Sequence, residues 1–302
     1  MVRLLVVVGV WFVFLPSLLQ AERQITPADV YAEVVRIEKE VELIKAQRGI
    51  QEVRNTEPVS ANLLPRHPWQ KSYLIHRKIN LFRQQLGLPK LAAPSLQPLV
   101  TLEPILVYEQ TQRLLTEIAL LKMHLGIEEL VPPQPVIAGR QPIDVFNKLH
   151  HVSVQWDLLL HASVTSTDIY AQLRRIDADV DTLLDFLHIP DQAFPPAKQG
   201  LVSLEELLAS SFTLMEEVQR LQQLSGLPRV DFEPFRYPKE VTSTDVLNLV
   251  SFVLAELQPV KANLGLVHEL TPVAGYYGDK GAAVVQQLLG YVTNKLRLIR
   301  SM

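Results

Sequence analysis

A long internal repeat constrains the fold of this chain more than any other sequence feature. Residues 25–32 (ITPADVYA) resemble residues 164–171 (VTSTDIYA), 139 positions later. The same offset, without a gap, aligns Arg36, Gly87, Leu125 and Gly139 with Arg175, Gly226, Leu264 and Gly278. Because a fixed offset over this length is the sequence signature of a repeated structural unit, we interpret residues 25–162 and 164–301 as two copies of one unit.

Apolar residues recur at alternating intervals of four and three in most segments of each copy. Val30, Val34, Ile37, Val41 and Ile44 show this spacing, and so do Ile169, Leu173, Ile176, Val180 and Leu183. The spacing is typical of helices that pack side by side at shallow angles. Four such segments per copy predict about eight amphipathic helices, and no segment has the alternation of a strand. The charged residues between the apolar positions are expected on a solvated face; they are Glu38, Lys39, Glu40, Glu42 and Lys45 in the first helix and Asp177, Asp179, Asp181 and Asp185 in the fifth.

Polar caps and glycines predict where these helices begin and end. Thr26, Thr165 and Thr242 each precede an aspartate by three residues, which is a variant of the capping box. Glycines recur near the expected C-terminal ends, where a left-handed residue is favoured, at Gly49, Gly87, Gly126, Gly226 and Gly265. The sequence therefore predicts an all-α fold of tandem duplicated four-helix units, residues 22–162 and 163–302, joined internally by long proline-rich linkers.

The linkers leave the direction of neighbouring helices open. Six of them span about 12–18 residues, and an extended linker of 12 residues reaches about 37 Å, which is about the length of a 24-residue helix. A linker could therefore run back along its helix and make neighbours parallel. It could also wrap around the end of the bundle between antiparallel helices. We expect the antiparallel arrangement, because four-helix bundles mostly adopt it.

The first 21 residues have the pattern of a signal peptide. Arg3 precedes an apolar run at 4–15, and Ala21 offers a small residue at the cleavage point. An uncleaved anchor and a buried helix are the alternatives, but the run is shorter than the ~20 residues of a spanning helix. We therefore expect an exported protein, periplasmic or secreted, with no stable membrane insertion after cleavage.

Composition narrows the classes of function. The 302 residues contain no cysteine, which excludes disulfides and thiolate chemistry. A formal net charge of −3 argues against nucleic-acid binding, which needs a concentrated basic surface. No phosphate loop, nucleophile elbow or zinc-protease motif is present.

The best candidates for metal ligation are three histidines on one predicted helix, His150, His151 and His161. The alternative is that these histidines lie on the solvent-exposed side of the helix or near its end. We expect no catalytic, cofactor-binding or metal site.

Aromatic residues in two linkers are the better candidates for recognition. They are Phe232, Phe235, Arg236 and Tyr237 in one linker, and Tyr276 and Tyr277 in another. Exposed Tyr and Arg are common anchors of protein interfaces, although these rings could instead fix the linkers to the helices. We expect a non-enzymatic, exported helical-repeat protein that binds or spaces another envelope protein. The alternative is a small-ligand-binding or sensory bundle with a pocket between helices or at the joint between the copies.

Overall fold

The described residues form an all-α fold, as the sequence predicts. A computed structural model describes residues 24–95, 97–198 and 200–302. The helices are α1 (Pro27–Gln47), α2 (Arg66–Gln85), α3 (Pro104–Leu125), α4 (Pro142–Leu160), α5 (Ser166–Phe186), α6 (Leu204–Leu224), α7 (Ser243–Asn263) and α8 (Ala282–Leu298), with a short 3-10 turn at Glu233–Phe235. The predicted signal peptide, residues 1–21, lies outside the described residues.

Local chemistry fixes the helix ends. Thr26, Thr165 and Thr242 are N-caps, and each forms a capping box with the aspartate three residues later. At the other end Gly126 has a φ of 70° and terminates α3 in the left-handed region, which glycine adopts without steric cost. The capping boxes and the glycine C-cap predicted from the sequence are therefore confirmed.

Each half of the chain forms the same four-helix unit. Shifting α1 by 139 residues gives the bounds of α5, and Asp29 and Asp168 hold the same place in their capping boxes. In the first unit α1 and α2 each pack against both α3 and α4; in the second, α5 and α6 each pack against both α7 and α8. The predicted apolar positions of α1 and α5 are buried in the core of each unit.

All four helices within a unit point in the same direction, so the antiparallel arrangement expected from the sequence is wrong. Pro27, Pro65, Pro104 and Pro142, at or beside the starts of the four helices of the first unit, line one small apolar cavity. At the opposite end Gln47 Nε2 donates to the carbonyl oxygen of Leu125, 3.3 Å away. In the second unit Lys261 and Asp179, each in the second half of its helix, form an ion pair.

The long linkers make this parallel order achievable. Segment 48–65 could extend to about 55 Å, whereas the 21-residue α1 is about 32 Å long, so the chain has room to return to the starting end. Helix side chains bind the returning backbone: Gln155 Nε2 donates to the carbonyl oxygen of Arg54, and Arg36 Nε to that of Val131. In the second unit Arg175, at the position equivalent to Arg36, donates to the carbonyl oxygen of Pro272.

The two units lie side by side in opposite directions. Helix α2 of the first unit packs against α7 of the second. Arg66 at the start of α2 binds Glu256 late in α7, whereas Leu247 near the start of α7 lines a cavity with Leu81 near the end of α2. The helix dipoles of the two units therefore oppose each other, and aspartates in the first turns of four helices further offset the repulsion between parallel dipoles.

Burial at the junction joins the two units into one core. Residues 246–261 of α7 are all buried, and so is most of α2. The buried apolar side chains of both halves form one contiguous cluster. The bounds 22–162 and 163–302 as independently folding domains stay a prediction.

Several charged residues expected on solvated faces are buried instead. Glu40 and Lys45 of α1 are buried, and so are Asp177 and Asp179 of α5. The reason is the return of the linkers over the outer faces of the helices, which removes solvent from positions that an ordinary bundle would expose. These charges are paired: Lys122 binds Glu40, and the equivalent Lys261 binds Asp179 at 2.6 Å.

No helix within the described ranges combines the length and the apolar composition that crossing a membrane requires.

Candidate functional site

The histidines considered as metal ligands lie in separate environments. His150 stacks on Phe146 with ring centroids 6.2 Å apart, and burial holds its pKa well below the ordinary value. His151 lies 3.2 Å from a carboxylate oxygen of Glu38, and His161 is the left-handed C-cap of α4. Across residues 24–95, 97–198 and 200–302, no group of three or more His, Asp or Glu side chains could hold a metal ion.

A buried ion-paired cluster connects the two units. The carboxylate of Glu256 in α7 accepts two hydrogen bonds from Arg66, at 2.7 and 2.8 Å, and one from Gln222 of α6. His67 Nε2 donates to the same carboxylate at 2.7 Å, because an ionised carboxylate can only accept, and its Nδ1 lies within 3.0 Å of both the backbone nitrogen and the carbonyl oxygen of Leu64. Burial alone would raise the pKa of Glu256, but His67 and Arg66 outweigh burial and hold it at about 2.

Phe232 and Phe235 pack around this cluster. Phe232 is buried, and its ring stacks on Phe252 with centroids 5.3 Å apart. Phe235 lies against Phe252 and against Phe146 of the first unit. In this structure these two rings attach the linker between α6 and α7 to the junction, which was the alternative considered for them.

Arg236 and Tyr237 follow on the same linker. The guanidinium of Arg236 lies 4.3 Å from the ring centroid of Phe212 and forms ion pairs with Glu216 and Glu233. The hydrogen bond that Arg236 donates to the Glu216 carboxylate raises the pKa of Arg236, so the group stays charged. Tyr237 is 81% exposed. Arg236 and Tyr237 are therefore more accessible to solvent than the buried Phe232, although these residues are close in sequence.

A second buried cation lies nearby in the junction, between α2, α4 and α7. The ammonium of Lys71 donates to Asn248 Oδ1 at 2.9 Å and lies 6.0 Å from the ring centroid of Phe146. No carboxylate among the described residues pairs with it. Burial, assisted by the nearby charge of Lys78, lowers the pKa of Lys71 to about 7.

Tyr276 and Tyr277 belong to an exposed aromatic patch on the linker between α7 and α8. We define the tyrosine surface as Tyr276 and Tyr277 together with their neighbours Tyr170, Lys90 and Lys280. The ammonium of Lys90 lies 3.2 Å from the ring centroid of Tyr276, and Tyr277 meets Tyr170 edge to face at 5.1 Å. Tyr276 remains 54% exposed and Tyr277 38%. The patch thus offers aromatic area and positive charge to solvent.

Contacts at both ends hold this linker segment in place. The backbone N–H of Ala274 donates to the hydroxyl of Tyr73 at 2.9 Å, and that of Lys280 donates to the Thr167 hydroxyl at 3.0 Å. A Cβ atom added to Gly275 would lie 2.9 Å from the Tyr277 ring, so a larger residue there would displace the ring. The segment that carries the two tyrosines is therefore held in place by the rest of the fold.

The tyrosine surface is built from both units. Lys90 comes from the first unit, and the other members come from the second. Sequence reasoning found Tyr276 and Tyr277 but missed their supports. Tyr170 could have been found from the repeat, because the first copy has a tyrosine, Tyr31, at the equivalent position. In the structure Tyr31 also has a cation over its ring, Arg140 at 4.3 Å. No sequence signal connects Lys90 with a linker some 190 residues away.

Comparison of the chain with protein-family models, with curated proteins and with solved structures finds no match.

Proposed function

We propose that this chain is a non-enzymatic, exported helical-repeat protein that binds another envelope protein through the tyrosine surface. The observation that carries the proposal is the pair Tyr276 and Tyr277, exposed on a segment that is hydrogen-bonded at both ends. Export to the periplasm or the medium is part of the same proposal and rests on the pattern of residues 1–21.

Pre-organisation gives this surface an energetic advantage over the other exposed side chains. Binding normally costs about 0.5–1.5 kcal/mol for each flexible side chain that becomes ordered. Tyrosine has few rotatable bonds, and the packing of Tyr277 against Tyr170 fixes its ring in advance. The nearby ammonium groups of Lys90 and Lys280 favour a partner whose contact surface is acidic.

We expect Tyr276→Ala/Tyr277→Ala to weaken partner binding strongly without unfolding the protein. Truncating two aromatic anchors is expected to cost at least about 2 kcal/mol, or about thirtyfold in Kd. The measurement is retention of envelope proteins from the source cells by immobilised full-length chain, with circular dichroism to verify the fold. The acidic character of any retained protein is a second readout.

Phe194→Ala is the matched control, because Phe194 is an equally accessible aromatic residue, 81% exposed, on another linker. A protein retained by the wild type and by the control, but not by the double variant, supports the proposal. Equal retention by all three chains, or no specific retention by the wild type, contradicts it.

A further inference from the structure

A cavity of about 210 Å³ lies at the joint between the two units, beside the short turn 161–165 that connects α4 to α5. It is smaller than the 300–1,000 Å³ that is typical of sites for drug-sized molecules. Its size therefore suits a metabolite smaller than a drug-sized molecule. The cavity and the tyrosine surface have no residue in common.

One side of the cavity is aliphatic. The wall consists of Leu74 and Leu81 of α2, Leu160 of α4, Val164 of the turn and Leu247 of α7. Branched side chains from four parts of the fold thus face one volume, and none of them can form a hydrogen bond. This wall is complementary to an aliphatic group, whose transfer from water contributes about 0.8 kcal/mol per buried methylene.

Two oppositely charged pairs also line the cavity, and they differ in how completely they are paired. Lys78 binds Asp157 at 2.7 Å and the carbonyl oxygen of Ser153 at 2.8 Å, so its ammonium is well satisfied. Arg77 Nη2 lies 3.8 Å from Asp168 Oδ1, which is too far for a hydrogen bond. Within the part of the chain that the structure describes, Arg77 has no hydrogen-bond acceptor.

Asp168 places one of its two carboxylate oxygens beside that guanidinium. Its Oδ2 accepts from the backbone N–H and the hydroxyl of Thr165 as part of the capping box of α5. Within residues 24–95, 97–198 and 200–302, its Oδ1 accepts no hydrogen bond and has the long contact to Arg77. An open set of N–H donors and an open carboxylate oxygen therefore lie side by side, while the four charged side chains that line the cavity sum to zero.

We propose that this cavity binds a small zwitterion with a branched aliphatic side chain, an α-amino acid of the leucine type. Its carboxylate pairs with Arg77, its ammonium pairs with Asp168 Oδ1, and its side chain contacts the aliphatic wall. A singly charged ligand would leave either Arg77 or Asp168 without a partner and would give the cavity a net charge.

Calorimetric titration of the full-length chain tests this proposal with three ligands that share the 3-methylbutyl group: L-leucine, 4-methylpentanoate, which lacks the ammonium group, and isopentylamine, which lacks the carboxylate. We expect L-leucine to bind with a Kd of about 1 mM or lower, and the anion and the amine to bind at least tenfold more weakly. Binding of 4-methylpentanoate as tight as that of L-leucine overturns the zwitterion assignment, and failure of all three to bind overturns the site.

Three variants locate the binding. Arg77→Met is expected to weaken L-leucine at least tenfold, whereas Arg229→Met, the same change at an exposed linker position, leaves it unchanged. Ala162→Trp fills the mouth of the cavity from an exposed position and is expected to abolish binding while the helical circular dichroism signal is retained. Unchanged binding in Ala162→Trp overturns the proposal even if Arg77→Met fails to fold.

Discussion

Replacing Glu256 by alanine is expected to lower the free energy of unfolding by about 3–5 kcal/mol. The carboxylate is fully buried and accepts hydrogen bonds from Arg66 and His67 of the other unit. Removing it leaves a buried guanidinium without its counter-charge, and the desolvation penalty is then uncompensated. Chemical denaturation of the wild type and the variant measures the difference.

The same carboxylate predicts how stability depends on pH. Its pKa is about 2 in the folded chain, against an ordinary value of 4.5. The unfolded chain therefore binds the proton more readily, so the contribution of Glu256 is complete above about pH 4.5 and is lost as the pH falls towards 2. Glu256→Gln cannot titrate and is expected to show a shallower loss of stability over this window.

Glu216→Ala is the matched control for Glu256→Ala. Glu216 also forms an ion pair with an arginine, Arg236, but its side chain is 57% exposed. Exposed pairs contribute about 0–1 kcal/mol, so this variant is expected to stay close to the wild type. Equal effects of the two substitutions would contradict the assignment of the Glu256 cluster as a major contact between the units.

Replacing Lys71 by methionine is expected to raise the free energy of unfolding at pH 7 by about 1–4 kcal/mol. No described residue pairs a carboxylate with the buried Lys71, and its hydrogen bond to Asn248 offsets part of the cost of burial. Methionine has a similar length and carries no charge. The gain is measured by chemical denaturation.

The pH profile distinguishes this explanation from a general packing effect. Because burial lowers the pKa of Lys71 from 10.5 to about 7, the unfolded chain binds more protons than the folded chain between these two values. The wild type should therefore gain up to about 1.4 kcal/mol per pH unit from this residue as the pH rises from 7. The charges that face Lys71 are Lys78 of α2, Asp157 of α4 and Asp245 of α7, and they are common to the wild type and the variant.

Lys71→Met should lose this slope, and Lys198→Met, at an exposed position, should keep it. A destabilised Lys71→Met chain with the wild-type slope would show that the ammonium is not the costly group at this position.

Periodicity and capping predicted the helices of this chain well. The apolar positions of α1 and α5 are buried, and Thr26, Thr165 and Thr242 are N-caps. These features depend on interactions within a few residues, which a sequence displays directly. The repeat offset also predicted that Asp29 and Asp168 occupy equivalent places, and both lie in the first turn of their unit's first helix.

Helix direction and the burial of charges could not be predicted, because both depend on where the linkers run. A 3.6-residue period is the same in parallel and antiparallel bundles. Once the linkers return along the helices, positions such as Lys45 and Asp179 lose contact with solvent, and they are retained because a partner from another helix lies within hydrogen-bond distance. The repeat does contain one indication of these ion pairs. Glu40 and Lys122 of the first copy correspond to Asp179 and Lys261 of the second, 139 residues later, so both copies have an acidic and a basic residue at the same two positions.

The tyrosine surface could be predicted only in part, because its composition also depends on where the linkers run. Tyr276 and Tyr277 stand out in the sequence as adjacent aromatic residues between two glycines. Phe232 resembled them, but its linker returns over the junction between the units, and the ring is buried there. The tertiary path of a linker, and not its composition, decides whether its aromatic residues are exposed.

Spin-label distance measurements between α1 and α3 test the central claim, that the helices of a unit run in parallel with long return linkers. The chain has no cysteine, so labels can be placed at chosen pairs of exposed positions. We compare Gln47→Cys/His124→Cys, at the end that α1 and α3 share in the structure, with Gln47→Cys/Glu103→Cys, at opposite ends. The parallel unit predicts a short distance for the first pair and a separation near the helix length of about 32 Å for the second. The reverse order of the two distances would contradict the account.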